Sequence, residues 1–194
     1  MIDQERTKEI FEELEMISYG HFLFTSGRHG DTYMQCARLL EDPSYTEEII
    51  KSIVNEFKDD NIDIVIGPAI GGIIIAYEFA SQLGVRNLFA ERENDVMTLR
   101  RGFKIPKGAR VLVVEDVITT GGSVKEVIDI VEEEEGKLVG VAVLVDRTGG
   151  KVDFGTKFVS GLSEELVSYT PEECPICKEG NIPLVKPGSR EIKS

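Results

Sequence analysis

Between Val111 and Val127 the chain reads VLVVEDVITTGGSVKEV: an apolar run enters two carboxylates, then a Thr/Gly/Ser turn, then a helical pattern. Each part has a chemical use. Thr119, Thr120, Gly121, Gly122 and Ser123 offer hydroxyls and unobstructed backbone N–H groups where a helix begins, and the helix dipole there favours a phosphate. Glu115 and Asp116 stand just before them, and carboxylates accept hydrogen bonds from sugar hydroxyls or bind a hard cation, directly or through water. A phosphorylated sugar satisfies both halves. A plain βα turn with a Ser/Thr cap needs neither the paired carboxylates nor five consecutive phosphate-type residues. Two rival nucleotide motifs are absent, since the chain has no GxxxxGK[ST] and no GxGxxG after a strand.

Other chemistry-bearing residues are sparser. From Arg92 to Arg110, six basic residues (Arg92, Arg100, Arg101, Lys104, Lys107, Arg110) face two acidic ones, a local +4 in a chain of net charge −13. Such an island focuses a small polyanion, although solvated ends of a loop and hairpin would look the same. His21 and His29 are the two histidines, with no Cys or carboxylate at ligand spacing beside them, so His21 is expected to be a packed or capping side chain. Cys174-Pro175-Ile176-Cys177 is a CxxC, half of a zinc knuckle, followed by Lys178, Lys186 and Arg190. Four ligands are needed, so a site would require another chain or histidines from elsewhere; two reduced thiols are the plain alternative.

These residues must be positioned by one core, the expectation for 194 residues of which 41% are hydrophobic and 29% charged. No run of eighteen apolar residues exists and the N-terminus, MIDQERTKEI, is charged, so neither a membrane span nor export is expected. The negative field repels phosphate backbones and argues against a general nucleic-acid binder. Cys36, Cys174 and Cys177 are too few for a disulfide framework, which points to reduced thiols and a cytoplasmic setting.

Ile10, Phe11, Leu14 and Ile17 predict an amphipathic helix over Thr7 to Ile17. The stretch Gly20 to Tyr33 has no clear period and is left open. A second helix is expected from an N-cap at Thr46, with Glu47 and Glu48 in its first turn and a stripe of Ile49, Ile50, Ile53, Val54 and Phe57. Strand and helix then alternate: strands at Ile62 to Gly67, Asn87 to Glu91, Arg110 to Val114 and Val139 to Val145, helices at Gly72 to Gly84 and Ser123 to Glu135. The class is α/β with a mainly parallel sheet, where ligands bind beyond the carboxyl ends of strands. The acidic run Glu132 to Glu135 reads as a solvated helix end, and residues 171–194 read as a tail appended to the core.

VLVVEDVITTGGS resembles the signature of type I phosphoribosyltransferases, which use 5-phosphoribosyl 1-diphosphate (PRPP). GHFLFTSGRHGDTY, GPAIGGI, LRRGF and DRTGG are similar to segments of the orotate phosphoribosyltransferases, so the likeness spans roughly Gly20 to Gly150. It implies the type I phosphoribosyltransferase fold, with a small N-terminal hood in residues 1–45, an α/β core in 46–170 and the tail beyond. It implies that Glu115 and Asp116 hold the ribose hydroxyls and, mostly through the substrate, a Mg²⁺ ion on Asp116. Val117, Ile118, Thr119, Thr120, Gly121, Gly122 and Ser123 would wrap the PRPP phosphate. The turn Pro68 to Gly72, chiefly Ala69, Ile70 and Gly71, would face pyrophosphate, and Thr119 and Arg147 would contact orotate.

The implied reaction, in pyrimidine biosynthesis, gives orotidine 5-monophosphate and pyrophosphate. A homodimer without nucleic-acid or membrane partners is also implied. The chain departs from the best-known form of the family. Its ERENDVMTLRRGF loop lacks the usual lysines and histidine, Gly71 stands where a lysine is common, and Thr25 where another basic residue is common. Arg100 or Arg101 is therefore expected to take the catalytic loop's part. Another base phosphoribosyltransferase and a non-catalytic PRPP-sensing regulator are the rival readings.

Overall fold

The computed structural model describes residues 4–24 and 26–187. The sequence-predicted role of Thr25, and Arg190 in the tail, lie outside the described residues.

Six strands form the central sheet in the order β5-β4-β3-β6-β7-β8: β3 (Ile64–Pro68), β4 (Arg86–Glu93), β5 (Val96–Leu99), β6 (Arg110–Ile118), β7 (Lys137–Asp146) and β8 (Phe158–Ser163). All neighbours are parallel except β4 and β5, an antiparallel hairpin. Side chains alternate across β6, so Leu112 and Val114 enter one core while Val111 and Val113 enter the other. The first core is closed by α1 (Gln4–Glu13), α2 (Pro43–Phe57) and α3 (Gly71–Leu83) through Phe11, Ile53, Phe57 and Phe79. The second is closed by α4 (Gly122–Glu133) through Val124, Val127 and Val131. Burial on both faces explains why the strands read as continuous apolar runs rather than alternating ones.

Three boundaries differ from the sequence reading for identifiable local reasons. Helix α1 stops at Glu13 because Glu15 adopts a left-handed φ of 49° and Met16 N–H returns to the Phe11 carbonyl, so Ile17 starts a strand despite its helical spacing. Helix α2 is capped by Asp42, whose side chain accepts from Ser44 N–H with Pro43 in the first turn. Thr46 is instead buried, its hydroxyl donating to the Leu39 carbonyl at 2.7 Å. Strand β6 continues past Val114 to Ile118, because β7 still pairs with it at Val117↔Val145 and Ile118↔Asp146. The carboxylates therefore sit on the strand itself. Strands β5 and β8 were not anticipated.

The open stretch forms an antiparallel pair, β1 (Ile17–Leu23) and β2 (His29–Met34), separate from the main sheet. Both of its edges are covered by the chain that follows β8. Tyr169 exchanges backbone hydrogen bonds with His29, while Val185 accepts from Leu23 N–H and donates to the His21 carbonyl. The segment read as an appendage is thus docked, and it blunts two strand edges that would otherwise be open to pairing.

Candidate active site

Because β6 lies between β3 and β7, the turns that leave these three strands emerge side by side at one sheet edge. Asp116 Oδ1 accepts from Val117 N–H at 2.8 Å. Its other oxygen faces the turn after β3 so closely that a Cβ on Gly71 would stand 2.2 Å from Oδ2. A Cβ on Gly72 would meet Glu115 Oε1 at 3.1 Å. These contacts account for a glycine where a lysine is common: a side chain at Gly71 would displace the Asp116 carboxylate. The preceding Ala69–Ile70 peptide is cis, and the Ile70 side chain projects into solvent.

Glu115 is 8% exposed, and its Oε1 accepts from Asp116 N–H at 3.1 Å. Burial, reinforced by the neighbouring Asp116 charge, pushes its carboxyl up to about 9. In the free protein Glu115 is therefore a neutral acid at pH 7, beside a second carboxylate. Such an environment responds to a cation or to the positive sugar of a reacting ribose.

The turn Thr119 to Ser123 and its flanks, with Glu115, line a concavity of about 70 Å³. Helix α4 starts here with Gly121 as its cap, which has no side chain to bond the first turn; Gly122 N–H makes only a long contact to Thr120 Oγ1 at 3.4 Å, so backbone N–H groups remain for an anion. Gly121 has a φ of 75°, and a Cβ there would lie 3.0 Å from the Phe154 ring. Gly121→Val is expected to cost roughly 2 kcal/mol or more, from left-handed strain plus this collision. A lowered unfolding midpoint with weakened phosphate binding checks it; an unchanged midpoint would contradict the assignment.

After β7, Asp146 is fully buried and accepts from Thr148 N–H, Thr148 Oγ1, Gly150 N–H and Ser163 Oγ at 2.6 to 2.9 Å. Burial alone would raise this carboxyl, but the four donors outweigh it and hold the group below its usual range. The turn it clamps presents Arg147, whose N–H donates to the Ile118 carbonyl at the end of β6. The guanidinium carbon lies 5.6 Å from the centroid of the Phe24 ring, and Nε is buried with no hydrogen-bond acceptor among the described residues. Desolvation lowers its pKa, although Arg147 stays charged. A buried, unpaired guanidinium N–H over an aromatic ring marks a place for a planar anion. Phe24 was missed in the sequence, where it was one aromatic in an unassigned stretch.

The structure thus brings Glu115, Asp116, Ala69 to Gly71, Thr119 to Ser123 and Arg147 to one edge. Arg100 and Arg101 have other partners. Arg101 makes two hydrogen bonds to Glu91, at 2.7 and 2.9 Å, and lies over the Phe89 ring, while Arg100 pairs with Glu93 at 3.2 Å. Arg92 pairs with Glu126 at 2.6 Å. The cationic island is thus largely an ion-paired β4–β5 hairpin. Elsewhere, His21 and His29 do have cysteines beside them, Cys174 and Cys177, which reverses the expectation drawn from spacing. Among the described residues no helix is long and apolar enough to cross a membrane.

The phosphoribosyl transferase domain family matches residues 38–172. An orotate phosphoribosyltransferase of Caldanaerobacter subterraneus is 59% identical over 191 residues, 98% of this chain and 100% of its own. One from a Thermoanaerobacter species is 57% identical with the same coverage. The crystal structure of orotate phosphoribosyltransferase from Aeropyrum pernix superposes with a TM-score of 0.69 at 28% identity, covering 80% of this chain and 92% of that one. Its fold is the type I phosphoribosyltransferase fold expected from the signature. Identity of this order along nearly the whole of both sequences is more than a shared fold supplies, and the chain belongs to the orotate phosphoribosyltransferases.

Proposed function

We propose that the three turns bind PRPP and orotate together and exchange pyrophosphate for the pyrimidine at C1 of the ribose. The observation that carries this reading is the meeting of a phosphate turn, a carboxylate pair and Arg147, whose buried Nε has no acceptor among the described residues, at one sheet edge. The C1–oxygen bond to pyrophosphate breaks with its electron pair on the leaving group, the C1–N1 bond to orotate forms, and the N1 proton leaves to the departing pyrophosphate or to solvent. Residues Thr119 to Ser123 hold the 5-phosphate on the first turn of α4. Glu115 and Asp116 bind the ribose hydroxyls and face the positive charge that develops as the bond to pyrophosphate lengthens. The backbone of Ala69 to Gly71 faces the leaving group, and Arg147 pairs with the orotate carboxylate above Phe24.

Asp116, with an oxygen beside the side-chain-free Gly71, offers the hard oxygen donors that suit Mg²⁺ carried in with substrate phosphates. The chemistry of bound Mg²⁺ is neutralisation of the departing pyrophosphate. Ile70, Ile74 and Tyr77, exposed along one face of α3 beside the site, support a homodimer that covers them. Three cysteines without disulfides support a cytoplasmic setting.

Loss of orotate absorbance with purified protein, PRPP and Mg²⁺ tests the reading, with uracil, hypoxanthine and adenine run alongside. Turnover of orotate alone is expected; PRPP binding without turnover of any base would overturn it. For Arg100 and Arg101 to reach pyrophosphate they must leave exposed pairs with Glu93 and Glu91, and exposed pairs are weak enough to break. Arg100→Ala or Arg101→Ala is expected to lower kcat by roughly 10²-fold, the cost of losing one transition-state donor. Unchanged turnover in both would remove the hairpin from the mechanism.

A further inference from the structure

Two histidines of the β1–β2 pair and two cysteines of the docked C-terminal segment converge on one point, far along the chain from each other. One ligand atom from each of His21, His29, Cys174 and Cys177 lies within 4.8 Å of the other three. His21 Nε2 is 3.2 Å from His29 Nδ1 and 3.5 Å from both sulfurs, and His29 Nδ1 is 3.2 Å from Cys177 Sγ. Hydrogen bonding cannot account for this crowding. A ring nitrogen carries one proton or one lone pair, yet His21 Nε2 has three polar neighbours and His29 Nδ1 has two.

A central cation satisfies all four atoms at once. Zinc–nitrogen bonds near 2.0–2.1 Å and zinc–sulfur bonds near 2.3 Å, at tetrahedral angles, place two nitrogens about 3.3 Å apart and nitrogen and sulfur about 3.6 Å apart. The observed 3.2 Å between nitrogens and 3.2 to 3.5 Å between nitrogen and sulfur match four of the six edges of such a tetrahedron, and the remaining pairs lie within 4.8 Å. Three of the four ligands are buried (His21, His29 and Cys174), and Cys177 opens to solvent. The other nitrogen of His21, Nδ1, is 3.2 Å from the Ile182 carbonyl. Donation from Nδ1–H there leaves the Nε2 lone pair for a metal, the outer-shell arrangement usual for metal-bound histidine. Cys174 and Cys177 bracket the start of the short helix α5 (Pro175–Glu179), the turn a CxxC uses to aim two sulfurs at one ion.

We propose that His21, His29, Cys174 and Cys177 form a structural zinc site that locks the C-terminal segment onto the β1–β2 pair. Two thiols release their protons on binding, so the site is formally neutral, and four protein ligands leave no open position for catalysis. The thiolate–imidazole set selects Zn²⁺ over the oxygen-seeking Mg²⁺ of the phosphate chemistry. The lock also bears on the active site: β1 runs directly into Phe24, the ring beneath Arg147, so the zinc clip steadies one wall of the pocket.

The protein purified from zinc-supplemented medium is expected to hold one equivalent of zinc per chain by elemental analysis. Replacement by Co²⁺ should give tetrahedral d–d bands with a thiolate-to-cobalt charge-transfer band. Cys177→Ser, at an exposed position, is expected to fold yet keep less than about a tenth of that metal, because a missing ligand weakens the site at least as much as loss of an outer-shell partner. Zinc content near zero in the wild type, or a full equivalent retained in Cys177→Ser, would overturn the proposal. If Cys177→Ser proves insoluble, the wild-type zinc content and cobalt spectrum decide alone. None of these readouts depends on orotate turnover, so the site and the activity stand or fall separately.

Discussion

Glu115→Gln is expected to leave the fold intact, to lower turnover by roughly 10²-fold or more, and to make the protein more heat-stable than wild type at alkaline pH. The stability change follows from burial. In the folded protein the Glu115 carboxyl titrates at about 9, and in the unfolded chain near the ordinary 4.5. Between these values the unfolded chain has released a proton that the folded chain keeps, so stability falls as pH rises from about 4.5 towards 9, then levels off. Glutamine has no proton to lose and can still accept from Asp116 N–H, so that slope vanishes. The difference in unfolding midpoint between variant and wild type should therefore widen from pH 5 through pH 7 to pH 9. If the ionised carboxylate faces the sugar, wild-type kcat/KM for PRPP should also climb with pH up to about 9. Parallel midpoint curves for the two proteins would show that Glu115 is not the buried acid described above, and retained turnover would remove it from the mechanism.

Arg147→Ala is expected to act on the other substrate. A buried, charge-assisted contact to a carboxylate contributes about 2–5 kcal/mol, so kcat/KM for orotate should fall by about 30-fold or more, with KM for PRPP little changed. Stability should hardly suffer. Among the described residues Arg147 Nε has no acceptor, and its guanidinium is partly desolvated, so the side chain is held in readiness rather than satisfied. Arg147→Lys should recover only part of the loss, because an ammonium keeps the charge but not the planar fork. An orotate kcat/KM within about threefold of wild type would place the pyrimidine elsewhere; the steady-state constants for both substrates settle the matter.

The parts of the site that were legible in the sequence share one property: their chemistry is written in consecutive residues. The phosphate turn is five residues long and follows a run of buried aliphatics, so its position on a strand exit could be read directly. The clamp at Asp146 is only partly local: three of its donors, Thr148 N–H, Thr148 Oγ1 and Gly150 N–H, lie within DRTGG, but the fourth, Ser163 Oγ, comes from the next strand, and burial of the carboxylate depends on the fold. The cationic island illustrates the opposite failure. Composition shows six basic residues between Arg92 and Arg110, but Arg92, Arg100 and Arg101 are matched by Glu126, Glu93 and Glu91 once the chain folds.

Helix boundaries divide in the same way. Gly84 ends α3 with a left-handed φ of 68°, the stop its residue type announces. Glu15 ends α1 with the same backbone geometry, and nothing about a glutamate announces it.

By itself the sequence determined the class of fold, the order of its core strands and helices, the signature strand with its phosphate turn, and the family those segments resemble. All of these depend on periodicity and on short runs, whose physics is local. Only the tertiary structure decided that Phe24 lies under Arg147, that Asp116 fills the space left by Gly71, and that the C-terminal segment returns to the first two strands. The four-residue cluster of His21, His29, Cys174 and Cys177 is the plainest case. Cys174 is 153 residues from His21, and no spacing rule spans such a distance. What joins them is strand-edge pairing around His29 and Val185, a contact between backbones that carries no side-chain signature along the chain.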